Sequence, residues 1–168
     1  AIVWSTLDAI PPGRRFDAIV AVDVVEHVAN PRRLIEDLAQ RLTDGGELIL
    51  TTGDADNDWW NRFGANWWYC FHPEHIAFIS EAWLQGLDHD SGLAVDQVER
   101  FRYRQLGPLI RIVHGMLMVL FGLLPSVYLG LRNAGRRLVS RPDVASVLGN
   151  GVSADHLFVV LRKKSHGQ

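Results

Sequence analysis

The sequence predicts an α/β fold, and three observations carry that prediction. The first is the almost wholly apolar run Phe16-Asp17-Ala18-Ile19-Val20-Ala21-Val22, the pattern of a strand buried on both faces of a parallel sheet. The second is the stripe Leu34, Ile35, Leu38 and Leu42, spaced for one face of a helix. The third is a second apolar run, Glu47 to Thr52, reached through Asp44-Gly45-Gly46. Strand, helix and strand with short connections form a crossover unit, which lays its two strands parallel.

Each element has a local cause. Residues 1 to 5 read as the end of a strand, and Ile10-Pro11-Pro12-Gly13-Arg14-Arg15 as a turn. Asn30 is a good N-cap and Pro31 suits the first helical position. The stretch from Gly53 to Pro73 reads as a long aromatic loop, the kind usually kept for function. Ser80 caps a helix carrying Trp83, Leu84 and Leu87. Leu93 to Tyr103 reads as a strand, and Asp155 to Arg162 as a last one.

Composition bounds the function. The 168 residues suit one domain, and 48% hydrophobic with 21% charged residues is ordinary for a globular protein. A net charge of −2 gives a nucleic-acid partner no support. The single cysteine, Cys70, excludes an internal disulfide and a cysteine-rich zinc site. The first residues lack the basic start and apolar core of a cleavable signal, so a cytoplasmic location is expected. The run Ala1-Ile2-Val3-Trp4 opens without a cap or turn, so the chain is expected to be a fragment.

Three stretches together resemble the class I S-adenosylmethionine-dependent methyltransferases, of the small-molecule type that includes quinone-biosynthesis enzymes. The first is Phe16 to Val20 followed by Asp23-Val24-Val25-Glu26-His27-Val28 and Asn30-Pro31, similar to the family's fourth strand and the loop after it. The second is Leu42-Thr43-Asp44-Gly45-Gly46 running into Glu47 to Thr52, with Asp44 where a proline is usual. The third is His72-Pro73-Glu74-His75-Ile76 before Phe78 and Ser80. The resemblance implies a Rossmann-like methyltransferase fold entered at the third strand, with S-adenosylmethionine as cofactor. The family's glycine-rich loop after the first strand and its acidic residue after the second are missing, so a lone copy is expected to bind the cofactor poorly.

The same resemblance gives the candidate site. Leu7 and Asp8 stand where the family contacts adenine, and Val22 and Asp23 where the backbone runs along the cofactor. A plain turn aspartate explains Asp8 equally well. His27 is a candidate general base, weighed against a purely structural role for Glu26 and His27. His75 is expected to line the acceptor pocket. Trp59, Trp60, Trp67, Trp68 and Tyr69 are its expected walls, with packing of the loop or a membrane interface as the alternatives. His72, Glu74 and His75 invite a metal reading, but Pro73 separates them and no metal is expected.

Between these pieces lies a different kind of sequence. Ile112 to Leu131 contains no Asp, Glu, Lys or Arg. From Arg100 to Pro142 there are eight Arg and no acid, so this stretch carries +8 and the rest −10. A single membrane crossing would separate strands that must pair in one sheet, and two crossings need about forty apolar residues. With Pro125 in the middle, two short helices resting on an anionic membrane surface are expected, with a lid over the site or a dimer contact as the alternatives. The expected division is a core part at 1–104, a helical insertion at 105–151 and a last strand with tail at 152–168. The expected activity is methyl transfer to an apolar or lipid-linked small molecule. The alternative is a non-catalytic membrane-associated module that keeps the fold.

Overall fold

The computed structural model describes residues 6–87, 92–138 and 151–164. The strand expected at 1–5 and the basic turn-rich stretch at 139–150 lie outside the described residues. Four strands form one sheet: β1 (Phe16–Val22), β2 (Leu42–Gly53), β3 (Leu93–Phe101) and β4 (His156–Lys163). Their order is β1-β2-β4-β3. β1 and β2 are parallel, as the crossover pattern requires, while β4 runs antiparallel to both β2 and β3. This registry decides the rest of the molecule. Gly53 at the end of β2 faces His156 at the start of β4, and Phe101 at the end of β3 faces it from the other side. One end of the sheet thus collects the ends of β1, β2 and β3 and the start of β4.

Helix α1 (Pro31–Gln40) begins as its sequence indicates, with the Asn30 side chain accepting from the Arg33 amide at 3.0 Å. Its Ile35, Leu38 and Ala39 join Leu48, Leu50, Leu157, Val159 and Leu161 of the sheet in one buried core. The short helix α3 (Glu81–Gln85), capped by Ser80, adds Leu84 and the following Leu87 to it. The strand β1 differs from its expected burial. Ile19 and Ala21 meet the core, but Val20 and Val22 are 63% and 54% exposed. β1 is an edge strand here and nothing described covers its second face. β2 is also longer than expected, since pairing of Leu42 with Phe16 starts the strand before a bulge that absorbs Gly45 and Gly46.

The aromatic stretch is more regular than its sequence suggests. Asn57 accepts from the amides of Trp59 and Trp60 and starts helix α2 (Asp58–Phe63), which two single 3-10 turns follow. The insertion forms the expected pair of helices, α4 (Pro108–Leu123) and α5 (Pro125–Leu138), broken at Leu124-Pro125. Met118, Phe121 and Tyr128 of this pair bury themselves against Trp67, Trp68 and Tyr69 in a second cluster. Gly122 allows the approach, because a β-carbon there would stand 2.6 Å from the Phe63 ring.

Candidate active site

β1 delivers the chain to the shared end of the sheet. Asp23, just past Val22, has φ of 50°, an uncommon conformation for a residue with a side chain. It turns the chain off the sheet into one 3-10 turn, Val25–His27. Its carboxylate accepts hydrogen bonds from Thr51 Oγ1 at 3.2 Å and from the Tyr103 hydroxyl, whose pKa that bond and burial push up to about 12.

Glu26 is 1% exposed, an expensive position for a carboxylate unless its oxygens are paired. They are: the Tyr69 hydroxyl donates to Oε1 at 2.6 Å and the Thr52 hydroxyl to Oε2 at 3.1 Å. Tyr69 is held well above the usual phenol range, first by burial and then by Glu26. The Tyr69 hydroxyl also accepts from the Gly53 amide at 3.0 Å. Gly53 has no β-carbon to obstruct it, since one would fall 2.5 Å from the Tyr69 ring. The Glu26 carbonyl in turn accepts from the amides of Ile76 and Ala77. The Glu26 backbone therefore joins the loop after β1 to the His-Pro-Glu-His segment.

Four imidazoles gather beside this carboxylate. His27 Nδ1 lies 3.0 Å from the Glu74 carbonyl, and His75 Nδ1 lies 3.0 Å from the Tyr69 carbonyl. A carbonyl only accepts, so each Nδ1 carries the hydrogen and a neutral ring keeps its lone pair on Nε2. The two rings meet edge to face with centroids 4.9 Å apart, and His72 stacks on His75 at 4.8 Å. Burial holds the His75 pKa below its ordinary value, and His72 and His27 add to this. His156 is buried and its Nδ1 lies 3.0 Å from Asp155 Oδ1, while Trp68 Nε1 donates to the other oxygen of Asp155 at 3.2 Å. The four rings, with Glu26, Asp23 and Tyr103, surround a cavity of about 280 Å³. Chemically this is a pocket whose lining sets imidazoles beside hydrogen-bonded carboxylates.

Of the residues expected in the site, the structure brings together Asp23, His27, Trp68, Tyr69 and His75. Val22 adjoins them at the end of β1 but does not line the cavity. Trp59, Trp60 and Trp67 stand behind it, packing the loop to the body: Trp67 is 1% exposed and Trp59 Nε1 donates to Ser153 Oγ at 2.7 Å. Leu7 and Asp8 form a 3-10 turn away from the cavity. Leu7 packs on the core, its carbonyl accepting from Arg41 at 2.9 Å, and Asp8 is exposed. Sequence reasoning missed Tyr103, Asp155 and His156. The signal available was an Asp-His pair opening the last strand, which becomes a site only once the antiparallel register sets it beside Gly53.

A family model described as a methyltransferase domain matches residues 5–98. The chain belongs to that methyltransferase family. Solved structures agree on the fold. A protein of Bacillus halodurans described as a methyltransferase superposes with a TM-score of 0.53 at 14% identity, over 92% of this chain and 68% of its own. The YcgJ protein of Bacillus subtilis gives 0.51 at 17%, over 97% and 70%. The [4+2]-cyclase SpnF gives 0.49 at 18%, over 93% of this chain but 52% of its own, so the methyltransferase chain spans about half the length of that relative. No curated protein matches the sequence.

S-adenosylmethionine is the methyl donor of this family. The residues present fit it in part. The carboxyl ends of β1 and β2 open at the cavity, where ligands of α/β sheets bind. The Asp23 carboxylate, which also accepts from Thr51 and Tyr103, lines the cavity, but neither Leu7 nor Asp8 reaches it. The described residues thus do not make up a full cradle for the donor.

Proposed function

We propose that this chain is the acceptor-side part of a methyltransferase whose substrate is an apolar or lipid-linked small molecule, taken up at an anionic membrane surface. The observation that carries the reading is the outer face of the helix pair. Leu109, Ile112, Met116, Leu123 and Leu131 are 61–73% exposed, while the inner face of the same pair closes the aromatic cluster next to the cavity. An apolar face of this extent on a helix pair suits burial in a lipid interface. No helix among the described residues is long and apolar enough to cross a membrane, so contact from one side is the geometry proposed. Arg102, Arg104 and Arg111 are exposed near the start of α4, and each basic residue close to an anionic surface adds on the order of 1 kcal/mol. Arg100, also counted among these arginines by sequence, instead pairs with buried Asp54 at 2.7 Å and with Glu81 at 3.2 Å.

Methyl transfer is an in-line displacement at the sulfonium methyl, so positioning is the protein's first contribution. For an oxygen acceptor a base is needed, and the imidazoles of the cavity supply it. The test uses full-length protein with labelled S-adenosylmethionine and a bacterial lipid extract. Label should enter the organic phase, and His75→Ala should lower turnover while cofactor affinity stays nearly unchanged. Transfer only to water-soluble acceptors would overturn the lipid reading. The engaged Asp23 carboxylate favours a second reading, a membrane-associated module that keeps the fold without catalysis. Complete absence of transfer with a well-folded full-length protein would select it.

A further inference from the structure

We propose that Glu26, His27 and His75 form a site for a divalent transition-metal ion, Zn²⁺ being the best match. Glu26 and His27 are neighbours in the turn after β1 and His75 comes from the His-Pro-Glu-His segment, and each offers one ligand-capable atom within 4.8 Å of the others. The set differs from His72, Glu74 and His75, the residues that sequence spacing brings to notice. Two imidazoles and one carboxylate, with further positions open, are the donor set of catalytic zinc and of mononuclear non-haem iron sites.

What distinguishes this cluster from a chance meeting is its supporting layer. A metal-binding imidazole commonly donates its other ring hydrogen to a carbonyl or carboxylate, which fixes the tautomer and the ring plane. Both rings here do so, His27 to the Glu74 carbonyl and His75 to the Tyr69 carbonyl, each at 3.0 Å. The carboxylate is oriented in the same manner by the hydroxyls of Tyr69 and Thr52. Each carboxylate oxygen retains a lone pair, because the hydroxyls use only one apiece. Tyr69 is the pivot of the arrangement, since its hydroxyl holds Glu26 and its carbonyl holds His75. Bonds of about 2.1 Å to a tetrahedral ion require ligand atoms roughly 3.4 Å apart, so the three close in by about an ångström. Glu26 is fixed by burial, while His27 is exposed and moves inward together with the Glu74 carbonyl that holds its ring. The open positions face the cavity, where the proposed acceptor would bind a hydroxyl oxygen to the ion and lose its proton more readily. His156, held by Asp155, and His72 are then the imidazoles left to take that proton. This last role rests on the methyltransferase reading, but the metal site does not.

The experiment is a titration of the tag-free chain, stripped with chelator, by Zn²⁺ in a calorimeter and by Co²⁺ followed in the visible spectrum. One ion per chain is expected, with the ligand-field absorption of a four- or five-coordinate site. His27→Gln and His75→Gln should each weaken binding at least about tenfold, more than removal of an orienting group such as Thr52→Val. His72→Gln should leave the affinity unchanged. His27 is exposed, so its variant tests the site without endangering the fold, which circular dichroism verifies. A folded chain that takes up no stoichiometric ion would overturn the proposal. So would binding that survives His27→Gln, or that His72→Gln removes while His27→Gln does not. The titration contains neither methyl donor nor acceptor, so its failure leaves the methyltransferase reading standing.

Discussion

Helices α1 and α4 each press one face onto the protein, and their other faces are opposites. α1 buries Ile35, Leu38 and Ala39 and turns outward an Arg33–Asp37 ion pair one helical turn apart. α4 buries Met118, Phe121 and Gly122 and turns outward Leu109, Ile112, Met116 and Leu123. Water satisfies the outer face of the first helix. It cannot satisfy the second, because each large apolar side chain left exposed forgoes roughly 1.5–3 kcal/mol of transfer free energy. The body of this protein folds for water on its outside and oil within. α4 is apolar on both sides.

The sharpest break of that comparison comes from equal chemistry placed in the two regions. Leu157 is fully buried in the body core. Leu157→Ala should cost about 2–5 kcal/mol, read as a lower urea midpoint with an unchanged slope. The triple change of Leu109, Ile112 and Met116 to Gln should do almost the reverse. In water each exposed site should shift stability by no more than about 0.5 kcal/mol. On phosphatidylglycerol vesicles the same variant should lose at least about hundredfold in affinity, because three apolar anchors no longer enter the interface. If the triple variant unfolds in solution instead, the outer face is holding the protein together and the distinction between the two regions fails.

A third prediction concerns the seam. Tyr69 belongs to the aromatic cluster that receives the helical pair, yet its hydroxyl serves Glu26 and Gly53 of the body. Tyr69→Phe keeps the ring and removes only that hydroxyl. It leaves a buried carboxylate oxygen and a buried amide each short of a partner, at a cost of about 1–3 kcal/mol. Vesicle affinity should be untouched, since the ring stack on Trp67 remains. A stability within error of the parent would show that Glu26 finds another donor, and that the seam is looser than its hydrogen bonds imply.

The sequence disclosed elements whose cause is local. Asn30 and Ser80 cap the helices they were expected to cap, Pro125 divides the apolar stretch, and short apolar runs mark β1 and β2. It disclosed less where the cause is distant. Asn57 starts a helix that no apolar stripe announces, because the tryptophans of α2 bury themselves in the second cluster and not along one helical face. His156 reads as one more residue of a last strand until the pairing with Gly53 and Phe101 puts it in the cavity. Glu26 reads as half of an adjacent pair with His27, and nothing in that pair announces the hydroxyls that hold the carboxylate. Its true partners are Thr52 and Tyr69, 26 and 43 residues away. Residue type and spacing reveal what a segment does to itself. They do not reveal which segments the sheet register will set side by side.

The smallest expected effect lies in the pH dependence of stability, and it separates the cavity from both regions compared above. Burial is the main cause of the lowered His75 pKa, with the nearby rings of His72 and His27 acting in the same direction. The bond to the Tyr69 carbonyl and the neighbouring Glu26 oppose it without cancelling it. The folded protein therefore prefers the neutral ring. In the unfolded chain the same imidazole takes up its proton near pH 6.5. Between that pH and the lower value of the folded state, the unfolded chain binds more protons, so stability rises with pH there. The contribution is complete above about pH 6.5, fades as the pH falls through the folded pKa, and is gone below it. Other groups titrate in the same range, so the measurement is a difference: urea unfolding of the parent and of His75→Asn from pH 7.5 to 5.5, with chelator present so that no ion competes for the ring. The parent should lose stability on acidification more steeply than the variant, and the two curves should run parallel above pH 7. Parallel curves throughout would mean that the His75 ring is as wet as an unfolded one, and that the cavity wall it forms stands open to solvent.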